Sequence, residues 1–170
     1  MGLDPPEPPL SDRVITLRPL DERDLPAIEQ AAGDAEIRKW FDLHTRSPAE
    51  YLAAKREAWA GGTGASFAVC DAARPETCLG HVFVEGDGDG CGSVGYWVLA
   101  EGRGKGRATR AVRLLASWAL PELRLRRLQL RTDPANVASQ RVAERAGFTR
   151  EGARADAVVY SLLPQDLAAT

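Results

Sequence analysis

The apolar positions change period along the chain, and the changes outline the elements. Val14-Ile15-Thr16-Leu17-Arg18 is a strand run stopped by Pro19. Asp24 stands where it would cap a helix with Pro26 in its first turn; Leu25, Ile28 and Ala32 share one face, and Gly33 ends it. A short helical piece follows around Ala35–Phe41. Ser47-Pro48-Ala49-Glu50 is a capping box with proline at the first helical position, opening a helix that runs to Ala60 and stops at Gly61-Gly62. Short apolar or alternating runs then predict a meander of three strands: Ser66–Cys70, Leu79–Val84 and Ser93–Leu99, with the Gly/Asp tract Gly86–Gly92 as turn material. Helical spacing returns over Gly106–Ala119 through Ala108, Val112, Leu115 and Trp118-Ala119, closed by Pro121. Leu128–Arg131 alternates as a strand. Asn136–Ala146 is a helix with Val137, Val142 and Ala146 inward, stopped by Gly147, and Ala157–Leu163 is a last strand ending at Pro164. The order β-α-α-β-β-β-α-β-α-β predicts one α+β domain over residues 13–170, preceded by a flexible, acidic, Pro-rich leader over residues 1–12.

With 170 residues, 44% hydrophobic and 27% charged, the chain has the composition of a globular domain rather than a disordered segment. The formal net charge of −2 argues against a protein that coats nucleic acid. That total hides an asymmetry: residues 1–60 carry a local net of −4, and residues 101–131 a local net of +7. A compact basic segment in a near-neutral protein suits a small polyanion. Cys70, Cys78 and Cys91 are too few for a disulfide framework and lack zinc-finger spacing. No apolar run approaches the ~18 residues that cross a bilayer, and the N-terminus lacks signal-peptide order. The expected setting is cytoplasmic. His44 and His81 stand singly, so no metal site is predicted.

The basic segment centres on a glycine-rich turn. The apolar strand run ending at Leu99 leads into Glu101-Gly-Arg-Gly-Lys-Gly-Arg-Ala108, which opens a helix. Withdrawn side chains expose backbone N–H groups, and the helix N-terminus adds partial positive charge, so the turn suits phosphate oxygens. Arg103, Lys105 and Arg107 interleave with Gly104 and Gly106 as mobile countercharge. The turn is not a Walker loop, because Gly106 follows Lys105 where Ser or Thr is needed. It is not a dinucleotide fingerprint either, because the third glycine falls on Thr109.

Arg103-x-x-Gly106-x-Ala108 resembles the pyrophosphate loop of the GCN5-related N-acetyltransferases, and Asn136-Val-Ala-Ser139 with Gly147-Phe148 resembles that family's next motif. Gly95-Tyr96-Trp97, residues 111–115 and Tyr160-Ser-Leu-Leu163 are similar to the ribosomal-protein (RimJ/RimL-like) branch, and the likeness spans about Ile15 to Asp166. It implies a mixed, mostly antiparallel sheet splayed at its central strands and flanked by about four helices. It also implies acetyl-CoA as co-substrate, with pantetheine along Val98 and Leu99 and pyrophosphate on Arg103, Gly104, Lys105, Gly106, Arg107 and Ala108. Asn136 and Arg145 would complete the coenzyme contacts, Arg145 near the ribose phosphate or adenine.

The implied reaction is attack of a primary amine on the thioester. The acceptor is a protein N-terminus, an aminoacyl nucleotide or a small molecule; a homodimer is compatible with this. The tyrosine that many members carry seven residues after the Asn is Ala143 here, which shifts the hydroxyl role to Ser139. Asn136 and Ser139 also make sense as first-turn capping residues. Glu85 is the candidate base, acting through water. Trp40, Phe41, Tyr51 and Trp59 are core candidates, of which one or two would line the acceptor pocket. A non-catalytic acyl-CoA-binding module is the alternative. The interval between Glu151-Gly152 and Tyr160 is too short for the branch's usual strand and hairpin.

Overall fold

The computed structural model describes residues 2–154 and 156–169. Eight strands form one sheet: β1 Leu10–Ser11, β2 Ile15–Pro19, β3 Gly64–Asp71, β4 Arg74–Gly86, β5 Cys91–Val98, β6 Arg127–Thr132, β7 Thr149–Arg154 and β8 Ala157–Leu162. Their spatial order is β1-β2-β3-β4-β5-β6-β8-β7. Every pairing is antiparallel except β5 with β6. The helices are α1 Leu25–Gly33, α2 Ala35–Arg38, α3 Pro48–Gly61, α4 Arg107–Glu122 and α5 Val137–Arg145.

Helices cover both faces of the sheet, so its central strands are apolar on both sides. β3 is buried at seven consecutive positions, which explains why strict alternation is absent there. On one face, Val112, Leu115, Ala119 and Leu120 of α4 pack against Phe67, Val82, Val84, Leu128 and Leu130. Each fully buried leucine there contributes about 1.5–3 kcal/mol relative to exposure. On the other face, Ile28, Ile37, Tyr51 and Leu52 close over Ala68, Cys70, Trp97 and Leu99.

The capping box at Ser47 forms as the sequence predicts, and the αL Gly62 ends α3. Asp24 differs from expectation. Its carboxylate makes no cap bond to α1; it is buried against Arg18, at 2.7 and 2.8 Å, and accepts from the Asp21 N–H. A buried cation outcompetes exposed helix amides for a carboxylate. Pro121 sits inside the last turn of α4 instead of closing it, because the chain turns only at Leu123.

Two edge elements were not expected. The N-terminal segment packs on the fold: Leu10–Ser11 pairs with β2, the Leu3 N–H donates to the Trp59 carbonyl, and Asp12 meets Arg110 at 2.7 Å. β7 is paired to β8 with Arg154 opposite Ala157, so a strand and a hairpin do form in an interval that reads as too short for them. Residue 155 lies outside the described residues. β7 is exposed at all six positions, so its sequence has no apolar face to betray a strand.

Candidate active site

The single parallel pairing positions the site. β5 and β6 are bonded from Cys91 opposite Arg127 to Val94 opposite Leu130, and there the pairing stops while β5 runs on to Val98. On its other side, β5 stays paired with β4 as far as Val98 opposite Gly80, and the Leu99 N–H continues that ladder to the Leu79 carbonyl at 2.8 Å. Backbone groups alternate direction along an antiparallel strand. Leu99 therefore faces β4, and the N–H and C=O groups of Tyr96 and Val98 face the gap that β6 has left. The gap opens into a cleft of about 990 Å³. Val98, Gly102–Arg103, Gly104, Gly106–Thr109, Asn136, Ser139 and Arg145 line it.

At one end of the cleft lies the glycine turn. Gly104 and Gly106 hold φ of +76° and +72°, a left-handed backbone that favours glycine. A Cβ at either position would meet no neighbour, so the missing side chains leave open space above the amides. Gly106 is the N-cap of α4 and supplies no capping side chain. Helix geometry leaves the N–H groups of Arg107, Ala108 and Thr109 without intrahelical partners. A positive turn of free amides at the mouth of a slot is a receptor for phosphate oxygens.

The expected countercharge is arranged differently. Arg107 is 9% exposed and turns back to Asp71, at 2.7 and 2.9 Å, and to the Gly102 carbonyl. Arg103 gives its Nε–H to the Val98 carbonyl at 3.0 Å and lies 2.8 Å from the Asp34 carboxylate. Burial raises the Asp34 carboxyl, but the Arg103 guanidinium and the Ile37 and Glu36 amides carry it below its ordinary value. Two of the three cations are thus anchored rather than mobile, and Lys105 alone of them is exposed. Leu99 is also corrected. It is 1% exposed, its N–H and C=O are taken by Leu79 and Gly102, and it packs in the opposite core, so it offers nothing to the slot.

Asn136 and Ser139 come together as their spacing implies. The Asn136 side-chain Oδ1 caps α5 by accepting the Ser139 N–H at 3.1 Å, the capping role its position predicts. The Ser139 Oγ is bonded to Tyr96, whose hydroxyl donates to it at 3.1 Å. Ala143 is fully buried one turn further on. Arg145 reaches the cleft, and its carbonyl accepts from Arg113.

The other end of the cleft is aromatic. Trp40 and Phe41, from the segment after α2, and Phe83 of β4 line it, whereas Tyr51 and Trp59 are core residues. Phe83 lies across Gly95; a Cβ there would sit 2.3 Å from the ring, which is why β5 carries glycine before Tyr96-Trp97. The charges nearby are paired: Glu36 with Lys39, and Glu85 with Lys55 at 2.9 Å. Glu85 is tied to that lysine and does not line the cleft, which removes the geometric support for it as a base. Phe83 and Tyr96 were not singled out from sequence as site residues. Alternation along β4 and β5 was the available signal, but it required knowing which face each helix covers.

The mixed sheet with one parallel pair ending beside a glycine turn and a helix N-terminus is the arrangement that the acetyltransferase resemblance implies. The chain belongs to the GNAT acetyltransferase family: the family model described as Acetyltransferase (GNAT) domain matches residues 14–149. Among Bacillus subtilis (strain 168) proteins, the "Probable N-acetyltransferase YjcK" is 44% identical over 59 residues, 35% of this chain and 33% of that protein. The "Putative ribosomal N-acetyltransferase YdaF" is 38% identical over 74 residues, 44% of this chain and 40% of that protein. The matched segments therefore span less than half of each relative. Mycobacterium smegmatis RimJ, solved in complex with CoA-disulfide, has the same fold: TM-score 0.78, 21% identity, 90% of this chain and 83% of that one.

Proposed function

We propose that the protein is an acetyl-CoA-dependent N-acetyltransferase whose acceptor is an α-amine. One observation carries this reading: the slot left by the end of the β5–β6 pairing leads without interruption to the free amides of the glycine turn. An extended pantetheine arm fits the Tyr96 and Val98 backbone, and pyrophosphate fits the amides from Gly104 to Thr109 with Lys105 beside them. Arg145 and Asn136 border the rest of the coenzyme.

In the reaction, the neutral amine attacks the thioester carbonyl and a C–N bond forms. The carbonyl electron pair moves to oxygen, where the Val98 N–H facing the slot stabilises it. The C–S bond then breaks with its electrons on sulfur, and the Ser139 hydroxyl holds that charge by a hydrogen bond. The proton released from nitrogen goes to water. The lack of an assigned carboxylate base suits an α-amine, whose ordinary pKa of about 7.7–8.0 leaves much of it neutral near pH 8.

The aromatic, charge-paired acceptor end supports an amine next to an apolar group, as at a protein N-terminus, over a polycation or a nucleotide. Three free cysteines support the cytoplasmic setting. Calorimetry with acetyl-CoA and transfer assays over short peptides with free α-amines test the reading. Binding and transfer are expected, with at least a 100-fold loss of kcat in Ser139→Ala. Binding without transfer to any peptide would instead make the chain an acyl-CoA-binding module, and no binding would overturn the proposal altogether.

A further inference from the structure

Tyr96 is the one residue of β5 that presents its backbone to the slot and its side-chain hydroxyl to α5. That hydroxyl ends 3.1 Å from the Ser139 Oγ and donates to it, and both residues line the cleft. Ser139 is itself fixed from behind, because its N–H is held by Asn136 at 3.1 Å in the first turn of α5. A serine within a helix ordinarily gives its proton back to the carbonyl four residues earlier. For Ser139 that residue is Ala135, which precedes the N-cap and lies outside the helix. The Asn136 carbonyl, three residues earlier, already accepts the Gln140 N–H.

We propose that Tyr96 is a positioning residue: by donating to Ser139 it occupies a lone pair of Oγ and leaves the serine proton aimed into the cleft, toward the sulfur of the leaving group. The inference rests on the role given to Ser139 above. A hydroxyl that accepts a hydrogen bond becomes a stronger donor, so Tyr96 also strengthens the bond Ser139 makes to the thiolate. Tyr96 keeps its own proton throughout and gives only a hydrogen bond. Burial raises its phenol above the ordinary value, so it remains a donor across the pH range of the reaction. A phenol acting from β5 also accounts for Ala143: the hydroxyl that reaches this part of the cleft from the sheet makes one on the helix redundant.

The test needs no acceptor. Coenzyme A is bound to the wild-type protein, Tyr96→Phe, Ser139→Ala and the double variant, and ionisation of the bound thiol is followed by its ultraviolet thiolate absorbance against pH. Losing one neutral hydrogen bond corresponds to about a 3- to 10-fold effect. The bound thiol of Tyr96→Phe is therefore expected to ionise about 0.5–1 pH unit higher than wild type. A larger rise is expected in Ser139→Ala, and none beyond that in the double variant. kcat on the best peptide should fall by the same 3- to 10-fold in Tyr96→Phe, with the KM for acetyl-CoA unchanged. Retention of the ring keeps the fold, and an unchanged melting temperature checks it.

If Ser139→Ala raises the thiol pKa and Tyr96→Phe does not, the positioning role is wrong and the role of Ser139 stands. If neither variant moves it, the assignment of Ser139 fails first. A further rise on adding Tyr96→Phe to Ser139→Ala would show that Tyr96 acts on sulfur directly, and would overturn the relay.

Discussion

Protonation of His81 should set the acid limit of this fold. The ring is fully buried beneath the aromatic end of the cleft, stacked on Phe83 with centroids 5.0 Å apart. Trp97 donates to the Tyr51 hydroxyl, which shares a hydrogen bond of 2.7 Å with the His81 Nδ1. Nε2 has no partner. A second proton would make a fully buried cation whose hydrogen-bond partner is a neutral hydroxyl. Burial therefore pushes the His81 pKa well below its ordinary value, and the charge of Lys55 adds to the effect.

The sign follows directly. Below about pH 6.5 the unfolded chain binds a proton that the native chain does not, so stability falls as pH falls. Integrated from pH 7.5 to 5.0, the loss is about 2 kcal/mol, equivalent to roughly 1 M in the urea midpoint. Urea unfolding at pH 7.5, 6.0 and 5.0 measures it, with His81→Phe as the comparison. That variant loses the Tyr51 bond, a constant offset of about 1 kcal/mol, but should lose the extra pH slope too. An equal slope in both proteins would refute the reasoning.

Gly95→Ala should cost about 1–3 kcal/mol of stability, because the new Cβ would overlap the Phe83 ring, and Phe83→Leu in the same chain should recover part of the loss in a urea double-mutant cycle. Cys70 and Cys78 are buried, which pushes their thiols up to about 11 and about 12. Native protein at pH 8 should therefore expose one thiol per chain, Cys91, to a disulfide reagent, and three after unfolding; rapid native reaction of a second thiol would contradict the packing.

The elements that could be read from sequence were those whose local signal agrees with their tertiary use. The Ser47 capping box, the α4 face through Val112 and Leu115, and the Asn136–Ser139 cap were foreseen because the same residues satisfy the helix and the core. β7 was not, because an edge strand exposed on both faces needs no hydrophobic period. Asp24 stands at a cap position but makes no cap, because Arg18 competes for its carboxylate from a different element.

The glycine turn shows the same limit in electrostatic form. A local net of +7 over residues 101–131 pointed to an anion site, and the turn's geometry agrees with that. Yet Arg103, Arg107, Arg110 and Arg127 each face a carboxylate from elsewhere: Asp34, Asp71, Asp12 and Glu151. None of these partners lies in the segment that was summed. A charge run along the sequence therefore overstates the field at its centre, since folding brings in counterions that a linear window omits. Beside these pairs, a phosphate meets Lys105, the α4 N-terminus and the amides that Gly104 and Gly106 leave uncovered, with Arg131, Arg141 and Arg145 on the cleft wall. Backbone dipoles held by a left-handed turn lose no side-chain entropy on binding, whereas mobile arginines would. The paired arginines fix the walls of the cleft: Arg103 ties the turn to the start of α2 through Asp34, and Arg107 ties the base of α4 to β3 through Asp71.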